Sequence, residues 1–225
     1  MSRQSTGRPS GGRAPGPPMR IIAGKWRSRQ IEWPPGDVTR PVPSRVKEAI
    51  FGMLGNHFDC PNALPSLAVA DVFAGGGSFG LEALSRGATS CVFFERDRSA
   101  LAALRRNIAT VDANAFARIV TLDAWTEAPR TAAPTPTAPT PPPAPTPLPF
   151  DLFFLDPPYR DSRDTSPTAN VRCFLAAVAH SHAEHDSMIV LHHESDVDFG
   201  LDSIPNWRIL DRRTFGTHGV TFFST

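Results

Sequence analysis

The chain lacks the usual marks of an exported or membrane-bound protein. Only three cysteines occur, Cys60, Cys91 and Cys173, too scattered for a disulfide framework or a metal spacing. They read as core or free thiols. No apolar run approaches the roughly 20 residues of a membrane span, and the opening residues are Arg, Ser, Gly and Pro rather than a signal peptide. A soluble, cytoplasmic protein without membrane association is expected. Acidic residues are missing from the first 31 positions, which carry seven Lys/Arg, whereas the remainder has 16 basic against 22 acidic residues, net −6. A basic arm on a mildly acidic body points to a polyanionic partner. Also absent are a Ser/His/Asp order, a cysteine nucleophile and a metal-ligand helix, so no metal is expected. His192-His193-Glu194 lies at a strand end and reads as structural.

The length, 225 residues, suits one α/β domain with extensions. Residues 1–18, rich in Gly, Pro, Ser and Arg, bury too little apolar surface to order themselves. Residues 20–31 mix β-formers with Arg20, Lys25, Arg27 and Arg29 around Trp26, a pattern predicting a small hairpin facing phosphates. Thr39-Arg40-Pro41 is a turn. Ser44 then caps a predicted helix whose core stripe is Val46, Ala49, Ile50, Met53 and Leu54. Arg40, Arg45 and Lys47 lie off that stripe, free to meet substrate or solvent. Strands are expected over 67–73, 90–94, 117–122, 152–155 and 187–193, alternating with helices, and a closing hairpin over 207–215 and 220–223. Between the third and fourth of these strands, residues 129–149 contain ten prolines and predict an extended loop without packed structure.

The chemistry concentrates at strand ends. Leu152-Phe153-Phe154-Leu155 is a charge-free apolar run halted by Asp156-Pro157-Pro158-Tyr159. Neither proline has an N–H to continue a ladder, so the Asp156 carboxylate and the Pro157 carbonyl are left as acceptors at a carboxyl edge, where parallel sheets bind ligands. Tyr159 would lie over them. Two acceptors beside an aromatic ring suit a planar group bearing an NH₂, such as a nucleobase amine. Upstream, Asp71-Val72-Phe73-Ala74-Gly75-Gly76-Gly77-Ser78-Phe79-Gly80 is a strand-to-helix turn whose glycines permit close ligand approach. Alone it fits a dinucleotide fingerprint, with Glu95 at ribose spacing. Asp71 before the loop, Asp123 after the third strand and the amine-binding turn favour an adenosyl sulfonium cofactor instead. A DNA adenine or cytosine amino methyltransferase, a non-catalytic RNA-binding assembly factor and, more distantly, an NAD-dependent oxidoreductase remain alternatives.

Four segments together resemble one family. Asp71 to Gly77, Asp156 to Tyr159, Thr39-Arg40-Pro41 with Ser44-Arg45-Val46-Lys47-Glu48, and Arg20-Ile21-Ile22-Ala23-Gly24-Lys25-Trp26-Arg27 are similar to the RsmD family of bacterial small-subunit ribosomal RNA guanine-N2 methyltransferases. The resemblance implies a class I, Rossmann-like α/β fold with a seven-stranded, mostly parallel sheet. It also implies an S-adenosylmethionine site: Asp71 and the backbone of Phe73, Ala74, Gly75 and Gly77 at the methionine part, Glu95 at the ribose, and Asp123 with Ala124 at the adenine. Asp156 and Pro157 would hold the guanine amine while Tyr159 stacks on the base. Residues 19–60 would then be an RNA-binding extension and 61–225 the catalytic domain. The partner would be ribosomal RNA or the small-subunit particle, and the protein a monomer. The loop departs from relatives at Gly76 and Ser78-Phe79, and the proline-rich insertion is unusual.

Overall fold

The computed structural model describes residues 19–34, 42–130, 149–182, 185–197 and 206–225, except the side chain of Tyr159. The tail 1–18, the turn at Arg40 and all but the ends of the proline-rich stretch lie outside these residues.

The chain opens with two short antiparallel strands, β1 (Met19–Arg20) and β2 (Gln30–Ile31). Helix α1 follows (Ser44–His57). The main sheet then alternates strand and helix: β3 (Ala68–Val72), α2 (Ser78–Arg86), β4 (Ser90–Phe94), α3 (Arg98–Thr110), β5 (Ala117–Val120), α4 (Ala124–Glu127) and β6 (Leu152–Leu155). Next come α5 (Tyr159–Ser162), α6 (Asn170–Ser181), β7 (Met188–Glu194) and the hairpin of β8 (Arg208–Phe215) and β9 (His218–Ser224). The seven strands are ordered β5-β4-β3-β6-β7-β9-β8, with β9 antiparallel to both its neighbours, β7 and β8, and the other pairs parallel.

Strands buried on both faces read as continuous apolar runs, and β6 obeys this rule. Leu152 and Phe154 join the core under α1, α2 and α3, whereas Phe153 and Leu155 join the core under α4 and α6. Ile21 and Ile31 belong to the first of these cores, so the amino-terminal hairpin packs on the same sheet face. The order reverses at β3–β6, because β4 and β5 extend to one side and β7, β9 and β8 to the other. A crevice opens at such a switch point beyond the carboxyl ends of the strands.

Several local expectations shift. Ser44 is the first helical residue of α1 rather than its cap, because Pro43 occupies the cap position with no side-chain bond. Lys47 does not face solvent or substrate. It is 2% exposed, bonded to the Arg20 carbonyl and the Ser78 hydroxyl at 3.3 Å each, and paired with Glu82 at 3.5 Å. Asp71 lies within β3, inside the expected strand, while Asp123, expected at the end of a strand, caps α4.

Candidate active site

The loop after β3 is shaped by backbone conformation. Phe73, Gly75 and Gly77 have φ of 65°, 54° and 84°, the left-handed region that glycine enters without penalty and phenylalanine does not. The Phe73 ring is held against Trp125 at 4.7 Å between centroids. Gly80 is required for another reason: a Cβ there would stand 2.3 Å from the Phe93 ring and 2.6 Å from Cys91 Sγ. Only a glycine lets α2 lie this close to β4.

Glu95, one residue beyond β4, anchors the loop. Its Oε2 accepts the Gly75 amide at 2.8 Å, and its Oε1 accepts those of Arg96 and Asp97 at 2.8 and 2.7 Å. Asp123 caps α4 by accepting the Trp125 amide at 3.0 Å, and its second oxygen pairs with Arg96 at 2.9 Å on the surface. Ala124 is buried beneath it. Asp71 is 1% exposed. Its Oδ2 accepts the Gly80 amide at 2.8 Å, whereas Oδ1 has no partner among the described residues. Burial, reinforced by the charges of Asp156 and Glu95, raises its pKa to about 8, against the pull of the Gly80 amide and Lys47.

β6 lies beside β3 with Leu155 opposite Val72, so Asp156 follows directly beside Phe73, its amide on the Val72 carbonyl at 3.3 Å. Asp71, Phe73, Ala74, Gly75, Glu95, Asp123, Ala124 and Asp156 all line one cleft of about 630 Å³, a size suited to a nucleoside-like ligand. Pro157 is buried behind them and Pro158 forms the wall. The amides of Asp161 and Ser162 both close on the Pro158 carbonyl, at 2.9 and 3.1 Å, and not on that of Pro157. Tyr159 opens α5 at this edge.

Other contributors gave no local signal in the sequence. Trp33 and Pro34 reach the cleft because Asn107 of α3 clamps the Glu32 backbone at 2.7 and 2.9 Å and the Gly76 carbonyl at 2.8 Å. Leu122 and Trp125 supply apolar wall beside Asp123. His192 of β7 donates from Nδ1 to Asp156 Oδ1 at 2.7 Å, so it serves the site directly, which the strand-end reading of His192-His193-Glu194 did not foresee. His193 remains structural, bonded to the Glu194 carbonyl at 2.7 Å and to Thr221 Oγ1 at 3.0 Å. Among the described residues no cluster of His, Cys, Asp and Glu has the makings of a metal site. No helix there is long and apolar enough to cross a membrane.

The basic residues divide. Arg45, exposed in the first turn of α1, lies near the β8–β9 turn, with a guanidinium nitrogen 3.7 Å from where a Gly216 side chain would begin. Arg20 is exposed on β1. Lys25, Arg27 and Arg29 are exposed as well, but their turn belongs to the opposite edge of the sheet. The Lys25 and Trp26 amides bond Ser85 in the last turn of α2 at 2.8 and 3.0 Å. The Lys25 ammonium lies 4.2 Å from the Trp26 ring and 4.5 Å from the ring of Phe116, which immediately precedes β5.

A reversed parallel sheet with a glycine loop, the acids Asp71, Glu95 and Asp123 at or after the carboxyl ends of β3, β4 and β5, and an Asp-Pro-Pro turn at one cleft defines a class I, Rossmann-like methyltransferase. The structure of a putative methyltransferase of Escherichia coli, yhhF, shares it at a TM-score of 0.63 and 25% identity, over 92% of this chain and 98% of that one. The family described as conserved hypothetical protein 95 matches residues 19–224, and the chain belongs to it, as the RsmD-like motifs foretell. Among relatives, the putative rRNA methyltransferase YlbH of Bacillus subtilis (strain 168) is 31% identical over 206 residues, 91% of this chain and 98% of the relative. The ribosomal RNA small subunit methyltransferase D of Escherichia coli (strain K12) is 29% identical over 201 residues, 88% and 85% of the two chains.

Proposed function

We propose that the protein methylates ribosomal RNA with S-adenosylmethionine, acting on the exocyclic N2 amine of a guanine in the small-subunit RNA. The observation that carries this reading is the shared cleft: it is lined by Asp156, with Pro157 directly after it, and by buried Asp71, one of whose oxygens has no partner among the described residues. A buried acceptor without a donor is costly, and a cationic amino group of the cofactor is the partner that relieves it. Glu95 accepts the Gly75 amide on Oε2 and the Arg96 and Asp97 amides on Oε1, with acceptor capacity left on Oε2 for a ribose hydroxyl. Asp123, Ala124, Leu122 and Trp125 frame an adenine. The cofactor supplies a methyl group on a sulfonium, which leaves as a neutral thioether.

The protein's task is to aim a poor nucleophile, since the guanine amine shares its lone pair with the ring. With Asp156 Oδ1 occupied by His192, Oδ2 and the Pro157 carbonyl accept the two N–H bonds and fix the amine for attack. The carboxylate also stabilises the positive charge that grows on nitrogen and takes the released proton. The base leaves its stack to enter, and Tyr159 replaces part of the lost stacking.

Asp156→Ala is expected to abolish turnover while leaving cofactor affinity within a few-fold. Wild-type single-turnover rates in that variant would overturn the assignment. Nucleoside analysis of ribosomal RNA from cells lacking the protein should show the loss of one N2-methylguanine. Loss of a methyladenine or methylcytosine instead would redirect the substrate.

A further inference from the structure

Asp156 does not stand alone. His192 lies on β7, and its register partner on β9 is Val220, which places His218, two residues away, on the same sheet face as a diagonal neighbour. Their rings lie end to end, centroids 5.2 Å apart with 20° between planes, and His192 Nε2 is 2.9 Å from His218 Nδ1. The result is a continuous line, Asp156 Oδ1, His192 Nδ1, His192 Nε2, His218 Nδ1, from the cleft to a half-exposed ring. His192 is itself 4% exposed. Two adjoining histidines on a cross-strand diagonal, bonded end to end and to a site carboxylate, exceed what packing alone demands.

We infer that His192 is a positioning residue for Asp156 and that His218 is the exit through which the site sheds a proton during methyl transfer. The inference rests on the proposed role of Asp156. Two placements of protons satisfy every contact: a neutral His192 can accept on Nε2 from the Nδ1–H of His218, or a charged His192 can donate there, and the charged form is the one the site uses. His192 must donate from Nδ1 to the Asp156 carboxylate, and as an imidazolium it donates from Nε2 to His218 Nδ1, leaving His218 neutral with its proton on Nε2. The shifts agree: burial lowers the His192 pKa, but the Asp156 charge and hydrogen bond outweigh it and the net movement is upward. For His218, burial, His192 and Arg45 lower the pKa against the attraction of Asp156.

When the amine proton reaches Asp156 Oδ2, the carboxyl becomes neutral and no longer holds the imidazolium. His192 passes its Nε2 proton to His218 Nδ1, and His218 releases its Nε2 proton to water. One proton has entered and one has left, so the charge of the buried pair stays balanced. After product departs, Asp156 ionises to water, and His218 takes a proton on Nε2 and returns its Nδ1 proton to His192 Nε2. The net release is one per turnover.

Charged groups nearby come from every packed element. Arg45 of α1 acts on His218. Arg163, just after α5, pairs with Glu194 at the end of β7, and Arg160 with Asp161 within α5 at 3.6 Å. Asp71 of β3 and Glu95 face Asp156 from the cleft side. None of these lies between the two histidines.

The test begins with ¹⁵N histidine NMR on the protein without cofactor or RNA. His192 should titrate above its ordinary pKa of about 6.5 and His218 below it, and Asp156→Asn should bring His192 down. A His192 titrating below that value, or unmoved by Asp156→Asn, overturns the inference whatever base is methylated. Single-turnover methylation then separates holding from proton transfer. His192→Asn keeps an N–H for Asp156 but carries no proton onward, so cofactor affinity should be retained. Its rate should fall roughly 10²-fold and lose the ionisation that the wild-type pH profile shares with His192. His218→Gln should slow the reaction while leaving the Asp156–His192 pair visible by NMR. Unchanged rate and pH profile in His192→Asn would refute the role, and failure of guanine methylation with an intact NMR pair would indict the substrate reading instead.

Discussion

The Asp71 carboxyl has one oxygen on the Gly80 amide and the other without a partner among the described residues, with its pKa raised to about 8. In the unfolded chain the same group ionises near 3.9. Because the folded value is the higher, Asp71 favours the fold most below about pH 4, and that contribution disappears as the pH climbs through 8. Cofactor-free protein should therefore lose thermal stability between these limits, and Asp71→Asn should flatten the decline, as denaturation curves across the pH series would show. A cationic ligand reverses the preference by pulling the carboxyl into its charged form. Calorimetric titration with S-adenosylmethionine at pH 7, in buffers of different ionisation enthalpy, should report release of about one proton. Asp71→Asn should abolish that release and weaken binding, whereas a release unaltered by the substitution would remove Asp71 from the cofactor site.

The helix α2 does two jobs, one near its start and one at its middle. At its start the Gly80 amide holds Asp71, and in its middle the fully buried Glu82 accepts the Ile22 and Ala23 amides at 2.8 and 3.0 Å together with Arg86 Nε at 2.8 Å. Lys47 completes the cluster from α1. Glu82→Ala would strand two buried cations and two amides, costing about 3–5 kcal/mol. It should also release the amino-terminal hairpin to proteolysis before the sheet unfolds. Gly80→Ala, driven into Phe93, should cost about 1–3 kcal/mol through overpacking. Periodicity and turn residues foretold the parallel strands, the glycine loop, the Asp156 turn and the closing hairpin, because those signals are local. Glu82 carries no such signal: a glutamate at mid-helix reads as solvent-facing, and only the Ile22 and Ala23 amides, some 60 positions away in sequence, make it a buried anchor. Lys47 misleads for the same reason. Trp33 and His192 enter the site through partners on other elements, Asn107 and Asp156, so their roles exist only once the chain has folded.

Across the whole molecule the candidate RNA contacts stand at two edges. Arg45 lies at the carboxyl edge of the sheet, near the β8–β9 turn and His218, while Lys25, Arg27 and Arg29 sit where α2 ends. The nine residues of α2, at 1.5 Å each, separate these edges by roughly 13 Å along its axis alone. A short oligonucleotide bearing the target guanine can fill the cleft without reaching the far turn, but a folded ribosomal particle is large enough to touch both. Arg45→Gln should therefore impair methylation of either substrate. Neutralising Lys25, Arg27 and Arg29 together should leave the oligonucleotide reaction nearly unchanged. With the particle the same triple substitution should raise KM and lower the salt slope of binding by roughly two to three, the value for three lost phosphate contacts. Its effect should be weaker at Lys25, whose ammonium is already shared between the Trp26 and Phe116 rings. Equal losses on both substrates would mean that the turn acts through the fold rather than on RNA, and circular dichroism melting of the triple variant would reveal the destabilisation such a reading requires.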